Sequence, residues 1–194
     1  MIAKISGVVH TGGAVTVTLC TQERGKEKKR RYEVDPEDFE SIGSPSVGDE
    51  VYGEEISVII RKTERCEAYD RALKILAMGD NSLDGLSRKL QMRGFSRESA
   101  EYVAAEMQRM GYIKESDQLQ RLIDYNVNKK LMGKRKLIPY LVSKGYSQRS
   151  VCEAIDLAID EGVIDFDKAR KELLKTAKTD DPMQIRKLLY THGF

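Results

Sequence analysis

Residues 86–113, LSRKLQMRGFSRESAEYVAAEMQRMGYI, align without a gap on residues 137–164, LIPYLVSKGYSQRSVCEAIDLAIDEGVI, at an offset of 51. Seven of the 28 positions are identical, and the matched positions share physical roles as well as letters. Leu86 and Leu90 match Leu137 and Leu141, one turn apart on a single helix face. Arg93 matches Lys144, a cation in the last turn, where the helix dipole favours it. Gly94 and Gly145 stand where a helix stops in the left-handed conformation, each followed by an aromatic, Phe95 or Tyr146. With glycine at C′, that aromatic is C″ and Leu90 or Leu141 is C3, the two positions that touch in a Schellman stop. Ser96 and Ser147 then read as N-caps of a second helix. Those helices carry Ala100, Val103, Ala104 and Met107, matched by Val151, Ala154, Ile155 and Ala158. This is i, i+3, i+4, i+7 spacing, one buried stripe each.

Each aligned stretch is preceded by another amphipathic segment, about 54–78 with AYDRALKILA in the first case and DQLQRLIDYNVNKK in the second. Two three-helix units follow. A third begins with DKARKELLKTA, passes through a KTDDP loop and reaches MQIRKLLYTHGF, where Ile185, Leu189, His192, Gly193 and Phe194 match Leu137, Leu141, Lys144, Gly145 and Tyr146. It stops after its aromatic. Ile185 and Leu189 are therefore expected to rest on the second unit, to rest on a partner, or to fray.

The first fifty residues differ in texture. IAKISGVVH and GAVTVTLCT have strand character with a turn at Thr11-Gly12-Gly13, and RRYEV reads as a third strand. DPEDFESI reads as a short helix with Asp35 as N-cap and Pro36 at its first position, and GSPSVGDEV as turn. The expected fold class is mostly α: tandem three-helix repeats in an elongated, curved array, with a small β-containing N-terminal segment. The boundaries read from the pattern are 1–53 for the β-rich segment, 54–114 and 115–165 for two repeats, and 166–194 for an incomplete third.

Three cysteines, Cys20, Cys66 and Cys152, are odd in number and far apart, which fits a reducing compartment rather than a disulfide framework. The start, MIAKISGVVH, lacks the apolar run of a signal peptide, and no stretch approaches the ~20 apolar residues of a membrane span. A cytoplasmic protein with no membrane partner is expected. The net charge is only +2, so an anion-binding surface has to come from uneven placement of charge.

The ordered set of VGDEV, AYDRALKILA, NSLDGLSRKLQMRGF, MGYI and GKRKLIPYLVSKGY resembles the RecX family of bacterial recombinase regulators over most of the chain. The sequence departs from that family at Gly79–Leu86, where the family carries an Arg before the serine and Glu-Leu after it. The resemblance implies a protein that binds the RecA recombinase filament, lies along its helical groove, and represses strand exchange and ATP turnover.

Charge placement singles out one region. From Lys129 to Arg149 the cations are Lys129, Lys130, Lys134, Arg135, Lys136, Lys144 and Arg149, and no Asp or Glu falls among them. These are the candidate contacts to an acidic partner surface, the filament or single- or double-stranded DNA. The interleaved Tyr125, Tyr140 and Tyr146 are each expected in the core. A second basic run, RGKEKKRR (24–31), reads as a solvated hairpin loop, with a flexible basic finger as the alternative.

Catalytic patterns do not appear. Asp80, Ser82, Asp84 and Gly85 fit the opening of a calcium loop, but its twelfth position is Gln91, where the bidentate Glu belongs. There is no GxxxxGK[ST], GxSxG or HExxH, and His10 and His192 lie at opposite ends of the chain. No enzyme activity, cofactor or metal is expected, and the molecule is expected to be a monomer. The rival reading is a DNA-binding regulator that uses one repeat as a helix-turn-helix-like reader.

Overall fold

Alternating apolar residues fold the N-terminal segment into an antiparallel sheet of four strands: β1 (Ile2–Thr11), β2 (Ala14–Glu23), β3 (Lys26–Val34) and β4 (Glu50–Tyr52), in the order β3-β2-β1-β4. The computed structural model describes residues 2–23, 25–177 and 180–194. Arg24 of the basic run, and Lys178 and Thr179 of the KTDDP loop, lie outside the described residues. By its contacts the chain divides into two compact units: Met1–Lys74 with Leu90–Val103, and Ile75–Lys89 with Ala104–Phe194.

In the first unit, Ala3, Ile5, Val15, Val17, Leu19 and Val34 share one sheet face. They pack against Phe39 of α1 (Pro36–Ser41) and Ile56 and Ile59 of α2 (Gly53–Leu76). A two-residue Gly12–Gly13 turn joins β1 to β2, with Thr11 opposite Ala14. Asp35 and Pro36 open α1 as expected, but the Asp35 side chain makes no cap and instead pairs with Lys62 at 2.9 Å.

Two expectations are corrected in this unit. From Lys26 onward the basic run is not a hairpin loop or a finger. Lys26–Arg31 belong to β3, paired with β2 along Thr18–Glu23. An edge strand tolerates this charge because the cations point into solvent and discourage pairing with another chain. Arg30 with Glu67, and Lys62 with Glu33, tie the strand to α2. The VGDEV stretch, read as turn, ends in the first two residues of β4, Glu50 and Val51, and Val51 is fully buried.

The remaining elements are α3 (Leu83–Gln91), α4 (Arg97–Arg109), α5 (Glu115–Asp124), a π turn (Tyr125–Lys129), α6 (Lys134–Ser143), α7 (Gln148–Asp160), α8 (Phe166–Lys175) and α9 (Pro182–His192). The corners take the expected form. Phe95, Tyr146 and Phe194 donate their N–H to the carbonyls of Leu90, Leu141 and Leu189 at 3.4, 3.4 and 3.0 Å. The preceding glycine N–H bonds one residue inside each, as a Schellman stop requires. Ser96 Oγ accepts from Ser99 N at 3.2 Å and Ser147 Oγ from Ser150 N at 3.0 Å, capping α4 and α7. In the second unit, Ile123, Val127, Leu137, Leu141, Val151 and Ile155 form one core.

Two corners of the second unit dock onto the starts of other helices. Ser82 caps α3 by accepting from Gly85 N at 3.0 Å, and its hydroxyl donates to the Lys144 carbonyl at the end of α6 at 2.8 Å. At the other end of α6, Gly133 N donates to the His192 carbonyl at 2.8 Å and Arg135 N to Gly193 at 3.3 Å. The end of the chain thus rests on the start of α6 through His192 and Gly193, while Ile185 and Leu189, the residues the expectation concerned, are only half-buried. Phe194 packs against the core of this unit and Gly193 is buried, although α9 itself buries no residue fully.

Gly145 shows how tight the approach is. Its φ is +98°, and a Cβ there would lie 2.5 Å from Ser82 Oγ and 2.8 Å from Gly85 N. Gly94 has nearly the same φ, +93°, and open space around it. Gly94→Ala is expected to cost about 1 kcal/mol for left-handed strain alone. Gly145→Ala adds overpacking and is expected to cost about 3 kcal/mol. Urea denaturation of the two variants measures the difference. Deleting Gly193 and Phe194 is expected to speed hydrogen exchange at the Gly133 and Arg135 amides, which two-dimensional NMR reads directly.

Candidate functional site

Because its two ends are held by these docking contacts, α6 presents a fixed outward face. All seven candidate cations are exposed, but they do not form one patch. Lys134 turns to Asp156 on α7 at 3.2 Å, and Arg149 pairs with Glu153 one turn along α7 at 2.8 Å. Those carboxylates lie beyond the acid-free stretch of sequence and offset two of its seven charges. Lys129 and Lys130 sit on or just after the π turn, apart from the helix face. Arg135, Lys136 and Lys144 remain together, without an ion pair among the described residues.

Helical spacing explains the grouping. Lys136, Tyr140 and Lys144 recur every four residues, and Arg135 and Pro139 form the adjoining row. Lys144 Nζ lies 5.5 Å from the Tyr140 ring centroid, and the Arg135 guanidinium 5.8 Å from that of Tyr190 on α9. Both are within range of a weak cation–π attraction. Lys136 Nζ donates to the Thr191 carbonyl at 3.0 Å, near the end of α9. Arg135, Lys136, Pro139, Tyr190 and Gly193 border an open depression of about 490 Å³. The strip is cationic, partly aromatic and accessible, which suits phosphates or carboxylates.

The tyrosines separate in a way the sequence did not foretell. Tyr146 is buried as expected, 4% exposed, and donates to Gln118 Oε1 at 2.9 Å. Tyr140 is half-buried. Tyr125, expected in the core, is 52% exposed and sits 5.2 Å from Lys130 Nζ. The π turn is the local irregularity here. Tyr125 faces outward there and Asn126 is buried, its Nδ2 donating to the Leu122 carbonyl while Oδ1 has no partner among the described residues. Tyr190, 73% exposed, was not singled out from sequence. The signal for it was the third corner alignment, which places it opposite Val142 on the outer face of α6.

The calcium-like stretch has other work. Asp80 pairs with Arg121 at 2.7 Å, Asn81 with Lys89, and Ser82 caps α3. His10 packs edge-on against Phe39, and His192 Nδ1 lies 3.2 Å from the Leu131 carbonyl. Among the described residues no helix is long and apolar enough to cross a membrane.

Neither a protein-family model nor a curated protein sequence matches this chain. Solved structures do. A crystal structure described as regulatory protein RecX matches 99% of this chain and 94% of its own, with a TM-score of 0.57 at 19% identity. RecX from Lactobacillus salivarius matches 69% of this chain and 90% of its own, with a TM-score of 0.56 at 15% identity. The chain has a RecX-like fold.

Tyr146, at the corner that ends α6, reports on the fold through pH. Burial, reinforced by the nearby charges of Glu115 and Asp80 and opposed by Arg121, pushes its phenol up to about 12 from 10.0. The fold holds the neutral form, so this contribution is complete below about pH 10 and is lost as pH rises towards about 12. Tyr146→Phe leaves Gln118 without its donor and is expected to cost about 1–2 kcal/mol near neutrality. It should also shrink the alkaline loss of stability, as urea melts near pH 8 and pH 11 would measure.

Proposed function

We propose that this protein is a non-enzymatic regulator of a RecA-type recombinase. It binds the nucleoprotein filament along its helical groove and represses strand exchange and ATP hydrolysis in recombinational DNA repair and the SOS response. The observation that carries the proposal is the likeness to regulatory protein RecX over 99% of this chain. The sequence motifs that resemble the same family support it independently. The proposal places the protein in the cytoplasm as a monomer without cofactor.

Its architecture is proposed as tandem three-helix repeats, 54–114 and 115–165, with an incomplete third at 166–194 and the sheet-bearing segment 1–53 ahead of them. Such an array is elongated and curved and spreads weak contacts along a repeating partner. A compact chain of this length has a radius of gyration of roughly 16 Å. Small-angle scattering should give a clearly larger value, and a value near 16 Å would remove the array from the proposal.

The α6 strip supplies the anion-binding contacts, with Arg135, Lys136 and Lys144 central and Lys129, Lys130, Lys134 and Arg149 flanking. A protein that binds one filament state better than another shifts the population towards that state, and one lying in the groove also obstructs a second DNA. The decisive measurement is recombinase ATPase on single-stranded DNA with substoichiometric protein, where inhibition is expected. Tight, sequence-selective binding to naked duplex without recombinase would favour the helix-turn-helix-like reader instead. Arg135→Glu with Lys144→Glu is expected to weaken filament binding at least tenfold, roughly 1.4 kcal/mol. If the cations meet phosphate, the variant should also lower the salt slope by about two. Unchanged binding and repression by this variant would remove the strip from the interface.

A further inference from the structure

Two helix pairs of the chain hold matching residues at the offset of 51, yet the seam between the helices is filled in one and open in the other. In the first pair, Arg65 on α2 lays its guanidinium 3.9 Å from the ring centroid of Tyr102 on α4 and pairs with Glu98 at 2.9 Å. Beside it, Glu64 accepts from the Ser96 amide and from the hydroxyls of Ser96 and Ser99. Burial alone would raise the Glu64 pKa, but these hydrogen bonds outweigh it and hold the carboxyl below its ordinary value.

In the second pair, α5 and α7, the position of Arg65 is taken by Ser116 and that of Tyr102 by Glu153. Gln120 Nε2 reaches the Glu161 carboxylate at 3.4 Å near the end of α7, and no arginine–aromatic pair spans the seam among the described residues. What remains is a groove of about 330 Å³ with a floor of Leu119, Ala154, Leu157 and Ala158 and a rim that includes Glu115 and Glu153. Leu157 is 53% exposed there. No Lys or Arg lines it. Glu115 accepts from the Leu83 amide at 2.8 Å and has no cationic partner among the described residues. Glu153 meets only Arg149 on its own helix, where both side chains are largely solvated and the pair contributes little.

We propose that this groove docks a cationic amphipathic segment of a partner protein, with an arginine and a neighbouring apolar or aromatic side chain entering together. The first helix pair shows the chemistry that fits such a seam, a guanidinium on an aromatic face beside a carboxylate. In the open groove an incoming apolar side chain covers Leu119, Ala154 and Leu157, while the arginine reaches the Glu115 and Glu153 carboxylates. An arginine suits this task better than a lysine because its planar fork can stack and bond two carboxylate oxygens at once. Helix-in-groove docking uses the same division between apolar floor and charged rim. The site lies on α5 and α7 rather than on the α6 strip, and it does not depend on the proposed recombinase function.

The test uses the intact chain and two fluorescein-labelled helical peptides. One carries arginine and leucine along one face, and the other has glutamate in place of each arginine. Anisotropy titrations are expected to show micromolar binding of the arginine peptide, weakened by salt, and none of the glutamate peptide. Ser116→Arg with Glu153→Tyr puts a long side chain and an aromatic ring into the seam, removes one rim carboxylate, and should weaken binding at least about tenfold. Leu157→Lys, at an exposed position that folding tolerates, should do the same and keeps the test valid if the double variant misfolds. The proposal fails if the arginine peptide does not bind, if the glutamate peptide binds equally, or if Leu157→Lys binds as the parent does. Concentration-dependent self-association that Leu157→Lys abolishes would assign the groove to a second copy and would likewise overturn it.

Discussion

A helix start leaves N–H groups unpaired and a helix end leaves carbonyls unpaired, and the second unit satisfies part of each with the other. The end of α9 gives carbonyls to the Gly133 and Arg135 amides at the start of α6, and the end of α6 gives one to the Ser82 hydroxyl that caps α3. Each contact also brings the negative end of one helix dipole to the positive end of another. The approach is possible only because no side chain intervenes. A Cβ on Gly193 would lie 2.5 Å from Lys136 Cβ, as one on Gly145 would from Ser82 Oγ. Glycine is therefore required twice at these corners, once for its left-handed backbone and once for the neighbour it admits. Gly94 meets only the first requirement.

This constraint decides what α6 can present. With both ends fixed and Leu137 and Leu141 fully buried, rotation about the helix axis is set. The rows through Arg135–Pro139 and Lys136–Tyr140–Lys144 must then face outward. Lys134, one residue earlier, turns towards α7 and meets Asp156. Neighbouring cations in one run thus have different fates because 100° of helix rotation separates them. The cationic strip follows from the packing of α6 rather than from charge density alone.

The parts legible in the sequence were those whose cause is local. A Schellman stop closes over six residues and an N-cap over four, so Gly-aromatic-Ser corners could be placed from the letters and the structure has them where expected. The stripes from Ala100 to Met107 and from Val151 to Ala158 are local in the same way. The parts that escaped depend on distant residues. β4 is three residues long and exists because β1 offers it an edge. The charged Lys26–Arg31 run has little strand character of its own and becomes strand by pairing with β2. The acids that offset Lys134 and Arg149 lie outside the run that defined the basic region. The π turn that exposes Tyr125 has no sequence signature that was recognised, and Gly133 gave no sign that it would receive the end of the chain.

The aligned helix pairs show where such a chain is free to diversify. Their buried positions differ in side-chain size: Ala68 and Ala104 correspond to Leu119 and Ile155, whereas Met107 corresponds to Ala158, and all six are buried. The corners cannot drift, because backbone conformation and carbonyl geometry fix their residue types. The seam between paired helices is bound by neither rule, since its side chains lie above the core and away from the corners. There the first pair carries Arg65 and Tyr102, which close on each other, and the second carries Ser116 and Glu153, which do not. Aligned positions of the sequence thus carry an arginine–tyrosine contact in one place and border an open groove in another. Three positions carry the difference, because Glu98, which pairs with Arg65, corresponds to Arg149, and all of them are half-exposed or exposed and lie above the core.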